Sequence, residues 1–107
     1  MKINRLETLK TLLEKDPADS FVRYAMGKEY ESMSDHENAL WHFNYIREND
    51  HQYVGMYYHL GKLYEKMDES EMALQAYKEG IDVAKKIPDF HALSELNNAK
   101  LNLEMEM

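Results

Sequence analysis

Two trios of side chains have the types and spacing to do chemistry: Tyr24, Lys28 and Glu31, then Tyr58, Lys62 and Glu65, each at i, i+4 and i+7 and the two separated by 34 positions. On a helix that spacing puts all three on one face. The tyrosines offer flat amphipathic contact area, and the lysines offer charge to a carboxylate or a backbone carbonyl, which is the chemistry of a contact surface. The plainer reading is a solvated helix face on which Lys28 pairs with Glu31, and Lys62 with Glu65, at i, i+3 for about 0.2–0.5 kcal/mol each.

Other reactive residue types do not assemble by spacing. None of the five His forms an i, i+4 pair and there is no His-Glu-x-x-His, so no metal site is predicted. The absence of Cys excludes disulfides, thiolate metal sites and Cys nucleophiles. No nucleophile elbow, phosphate-cradling glycine loop or paired acid stands out. The chain is therefore read as not an enzyme, with no catalytic residue and no cofactor. Trp41 is different in kind: it sits beside Leu40 but off the apolar stripe of its helix, at a position usually polar. An exposed Trp suggests a contact surface, and the alternative is that the leading helix or a neighbouring side chain covers it.

A formal charge of −7 argues against a binder of phosphate backbones, so no nucleic-acid partner is expected. No apolar run approaches the roughly 20 residues that span a bilayer, and Met1 to Glu14 is amphipathic rather than a signal-peptide core, so no membrane is expected and the protein is read as cytoplasmic. At 107 residues it has the length of one domain, and 44% hydrophobic residues with four Gly and two Pro is a helical globular composition.

Helices must position these residues. Ile3, Leu6, Leu9, Leu12 and Leu13 mark a leading amphipathic helix, with Lys2 on its polar arc, ended by Asp16-Pro17. A second helix runs from Ser20 to Met33, capped by Asp19 or Ser20. Asp35 caps a third, from His36 to about Glu48, with Ala39, Leu40, Phe43 and Ile46 inward. Tyr53–Met67 and Ser70–Lys86 follow, then a last helix from Asp89 to about Glu104 with Phe90, Leu93, Leu96 and Leu103 as its apolar side and a fraying Met-Glu-Met end. Met26, Met56 and Met72 are read as core filler. Shifting the chain by 34 residues superposes not only the trios but Gly27 on Gly61, Tyr30 on Tyr64, Met33 on Met67, Ala39 on Ala73 and Leu40 on Leu74. A period of this length is the signature of a stacked repeat array.

Each copy resembles a tetratricopeptide repeat: Tyr57, Leu60-Gly61, Tyr64, Ala73 and Tyr77 in one, and Arg23, Met26-Gly27, Tyr30, Ala39 and Phe43 in the other, with Arg23 in place of the usual bulky aromatic. The resemblance implies an all-α, right-handed stack of antiparallel helical hairpins, an α-solenoid of six helices. Its parts are a leading half repeat (1–19), two full repeats (20–53 and 54–87) and a capping helix with its tail (88–107), all one domain. It also implies a protein–protein interaction module whose concave groove holds a peptide of a partner protein. The positions that would line that groove are Phe21, Tyr24, Lys28, Glu31, Tyr58, His59, Lys62, Glu65, His91 and Asn98. The family's clamp for a C-terminal carboxylate is not supported at the matching positions, which hold Tyr24, Lys28, His59, His91 and Glu95. A self-associating, homodimeric scaffold is the alternative, because Leu101 and Met105 make a second apolar stripe on the last helix.

Overall fold

The computed structural model describes residues 4–107, so Lys2 and Ile3 of the expected leading helix lie outside the described residues. Among the described residues there are six α-helices and no strand: α1 (Arg5–Lys15), α2 (Ser20–Ser32), α3 (His36–Asn49), α4 (Gly55–Lys66), α5 (Ser70–Lys86) and α6 (Phe90–Glu106). They form two compact units, one ending at Asp50 and the other running from His51 to Met107. In the first, α2 packs against α1 and α3; in the second, α4, α5 and α6 pack on one another.

Side-chain oxygens start four of the six helices. Asn4 Oδ1 accepts from Leu6 N at 2.9 Å, Asp19 Oδ1 from Val22 N at 3.1 Å, Asp35 Oδ1 from Asn38 N at 3.2 Å and Asp89 Oδ1 from Ala92 N at 3.0 Å. Each satisfies an amide that would otherwise lack a partner in the first turn. At Asp35 the side-chain amide and backbone N–H of Asn38 together hold the carboxyl below the usual carboxylate range.

The turns that end α2 and α4 are the same motif built twice. Asp35 N bonds Tyr30 O and Ser34 N bonds Glu31 O; 34 residues on, Glu69 N bonds Tyr64 O and Asp68 N bonds Glu65 O. This pattern needs a left-handed residue after the helix, and Ser34 and Asp68 both have φ 58°. Glycine would adopt that conformation without the steric cost a Cβ carries there. Ser34→Gly is therefore expected to stabilise the first unit by about 0.5–1 kcal/mol, and Asp68→Gly to gain less because Asp tolerates this region better. Urea denaturation of each variant measures both.

Within each hairpin the close approach is a glycine against a ring. A Cβ on Gly27 would lie 2.5 Å from Phe43 Cε1, and a Cβ on Gly61 would come still closer to Tyr77 Cε1. Phe43 and Tyr77 are fully buried, as are Ala39, Ala73, Tyr57 and Leu60. Burying each large apolar side chain contributes about 1.5–3 kcal/mol.

Some expected core positions lie elsewhere. Phe90, expected on the inner side of α6, is 81% exposed, because the buried stripe is Ala92, Leu96, Ala99 and Leu103 and Phe90 falls on the opposite face. Met72 is exposed, one residue before the buried Ala73 and so about 100° round α5, whereas Met26 and Met56 are buried. Leu12 is exposed, Leu9 buried and Leu13 half-buried, since among the described residues α2 is the one helix packed on α1. Helix α6 runs through Glu106, past the expected fraying point, with Met107 N bonding Leu103 O at 3.1 Å.

Candidate functional site

In the first unit α2 gathers three of the expected contact residues. Phe21, Tyr24 and Lys28 line a cavity of about 370 Å³ together with Arg5 of α1 and Ala25, Glu29 and Ser32 of α2. The Lys28 ammonium lies 5.4 Å from the centroid of the Tyr24 ring, which in turn stands 6.4 Å from the ring of Phe43 beneath it. Phe21 is 66% exposed, and Arg5 meets Glu29 at 3.5 Å. An apolar ring in water beside two cations is an arrangement that folding of this unit does not require. Glu31 is half-buried and lies outside that cavity lining.

In the second unit Tyr58, His59, Lys62 and Glu65 follow one another along α4. Lys62 Nζ sits 5.7 Å from the Tyr58 ring centroid, nearly the spacing of the first copy, and His59 stands edge-on to Tyr58 at 5.5 Å. Lys62 also reaches Glu65 Oε2 at 3.8 Å, so the i, i+3 ion pair expected of a solvated face is present here. Glu65 is held from a second side, because the Tyr77 hydroxyl donates to the same oxygen. Burial pushes the Tyr77 hydroxyl pKa up, and the bond to Glu65 pushes it further. Sequence reasoning missed Tyr77 as a polar partner; the signal was its hydroxyl, which Phe43 at the matching position lacks. His91 and Asn98 are both exposed on α6.

Arg23 fills its place in the repeat by a different route from Tyr57. The Tyr57 hydroxyl donates to His51 O at 2.6 Å, and Arg23 Nε donates to Pro17 O at 2.8 Å, the same carbonyl six residues back in each copy. Arg23 is only 6% exposed, its guanidinium 3.6 Å from the Tyr45 ring centroid and 5.2 Å from that of Trp41. Its Nη1 is 3.4 Å from His42 Nδ1; since a guanidinium only donates, that nitrogen accepts and the imidazole is the neutral Nε2–H form. His42 is buried too, stacked 5.7 Å from Tyr30, and burial followed by the Arg23 charge lowers its pKa to about 4.

Trp41 is 60% exposed, so neither the leading helix nor a neighbour covers it. It stands edge-on to His42 at 5.0 Å and tilted to Tyr45 at 6.2 Å. Among the described residues no three or more His, Cys, Asp or Glu are grouped so as to hold a metal ion, and no helix is long and apolar enough to cross a membrane.

The tetratricopeptide repeat family model matches residues 54–87, the second copy. The crystal structure of a tetratricopeptide repeat domain protein from Salinibacter ruber is 44% identical, with a TM-score of 0.77, covering 80% of this chain and 97% of that one. The chain belongs to the tetratricopeptide repeat family. A solution NMR structure of a tetratricopeptide repeat domain protein from the same organism agrees at 45% identity and a TM-score of 0.79, over 83% of this chain and 90% of that one. A protein from Bordetella parapertussis shares the fold at a TM-score of 0.84 and 24% identity, over 98% of this chain and 91% of that one. Among curated proteins nothing matches. As a tetratricopeptide repeat protein the chain has an all-α helical-repeat fold of the kind that serves in protein–protein interaction, typically as a non-enzymatic scaffold.

Proposed function

We propose that this tetratricopeptide repeat protein binds peptide segments of a partner protein, with the Tyr–Lys–Glu face of α2 as the contact surface of the first unit and that of α4 as the contact surface of the second. One observation carries the reading: in both copies the lysine ammonium lies over the ring of the tyrosine one turn before it, at 5.4 and 5.7 Å. A cation laid on its own ring keeps the aromatic surface presented with few free rotamers, so less entropy is lost when a partner docks. The lysines face a partner's carbonyls or carboxylates, and the rings cover its apolar atoms. Phe21, exposed beside Tyr24 and Lys28, enlarges the apolar part in the first unit.

Replacing Tyr24 and Tyr58 together with Ala is expected to abolish capture of the partner from lysate while circular dichroism still shows a folded helical protein. Unchanged capture by the folded double variant counts against this assignment.

A homodimeric scaffold is the second reading. The observation favouring it is that α6 exposes Phe90, Leu101 and Met105 on the face away from its buried stripe. Light scattering over a concentration series decides it: a rising mass supports self-association, and a monomer at high micromolar concentration removes it.

A further inference from the structure

We propose that the outer face of α3 is a second, separate docking surface that takes an arginine-bearing segment of a partner protein. Glu37, Trp41, Tyr45 and Glu48 follow at i, i+4, i+8 and i+11, so they share one face, and with Leu40 and Asn44 they line a shallow cavity of about 480 Å³. The two aromatic rings lie in the middle and a carboxylate at each end. Both glutamates are exposed, and neither has an ion-pair partner among the described residues. The net charge of −7 adds attraction for a cation approaching from solution.

Arginine rather than lysine is the side chain this surface selects. Trp and Tyr faces bind cations through their quadrupole, and the flat guanidinium also stacks on a ring while donating sideways to a carboxylate. The protein already shows that chemistry from inside: Arg23 stacks on Tyr45 at 3.6 Å and approaches Trp41 at 5.2 Å, while Trp41 remains 60% exposed. The distance from Glu37 to Glu48 along the axis is about 16 Å at 1.5 Å per residue. An extended peptide at about 3.3 Å per residue covers that with two arginines about five residues apart.

Trp41 is the only tryptophan in the chain, so its fluorescence reads this surface directly. The probe is a synthetic, end-blocked hexapeptide with Arg at both ends and Gly-Ser-Gly-Ser between, compared with the same peptide carrying Lys or Glu. The Arg peptide is expected to give a saturable change in Trp41 emission, the Lys peptide a change at several-fold higher concentration, and the Glu peptide none. The double variant Glu37→Gln, Glu48→Gln, at exposed positions that leave packing intact, is expected to raise the Kd for the Arg peptide at least tenfold, and added salt to raise it for the unaltered protein. Amide NMR shifts on binding are expected to cluster within 37–48, giving the location without any substitution. The proposal is overturned by an emission that does not saturate, by equal affinity in the double variant, by shifts centred elsewhere, or by emission that follows protein concentration alone, which would make the occupant a second copy of this chain.

Discussion

Gly61→Ala is expected to destabilise the second unit by about 2–3 kcal/mol, even though Ala is a better helix former than Gly by about 1 kcal/mol. The added methyl would overlap the edge of the Tyr77 ring at Cε1, and that ring cannot retreat: Tyr77 has no exposed surface and its hydroxyl is bound to Glu65. The strain must be relieved by moving α4 away from α5, which opens a void around Tyr57 and Leu60, both buried. Gly27→Ala meets Phe43 in the same way in the first unit. Gly55, at the start of the same helix as Gly61, provides the contrast. A Cβ there meets nothing within 4 Å, so Gly55→Ala is expected to be neutral or to stabilise by up to about 1 kcal/mol. Chemical denaturation should thus lower the midpoint for Gly61→Ala and leave it unchanged or raise it for Gly55→Ala, and an equal drop in both would remove the packing argument.

Acid is expected to weaken the first unit through His42. In the folded protein its pKa is lowered to about 4, by burial first and by the Arg23 guanidinium second, from an ordinary 6.5. Between pH 6.5 and about 4 the unfolded chain binds a proton that the folded His42 does not, so stability falls as pH falls through that window and levels off below it. The loss is about 3.5 kcal/mol, because each tenfold difference in proton affinity between the two states is worth about 1.4 kcal/mol. In His42→Phe a ring keeps the stack on Tyr30 and the edge against Trp41 but cannot be protonated. Its stability is expected to drop less over the same window, by that amount. Parallel pH curves for the two proteins would place the sensitivity at another group.

The helical repeat was legible because it rests on small local rules repeated in register. Gly27 and Gly61, Ala39 and Ala73, and Asp caps before apolar runs each announce their roles by type and spacing. What stayed hidden depends on distances no spacing encodes. Arg23 reads as a lost aromatic contact, yet its long stem carries Nε to Pro17 O, the carbonyl matching the one Tyr57 reaches in the next copy, and lays a cation on Tyr45. The left-handed turns at Ser34 and Asp68 carry no glycine, so their conformation shows only in the repeated hydrogen bonds. Phe90 reads as inward by its apolarity, but Ala92 and Ala99 allow the close contact that a Phe would prevent. For the candidate site, the Tyr–Lys pairs were readable on each helix, whereas Arg5 beside Phe21 and the Tyr77 hydroxyl on Glu65 come from elsewhere in the chain.

Site-specific photo-crosslinking tests most directly whether the α2 face is where a partner docks. A benzoyl-phenylalanine in place of Phe21, which projects into solvent beside Tyr24 and Lys28, is expected to cross-link a single partner protein in cells. The same residue in place of the exposed Lys78, on α5 and outside every surface proposed, is expected to cross-link nothing specific. Equal cross-linking from both positions, or none from position 21 in a folded protein, would contradict the account.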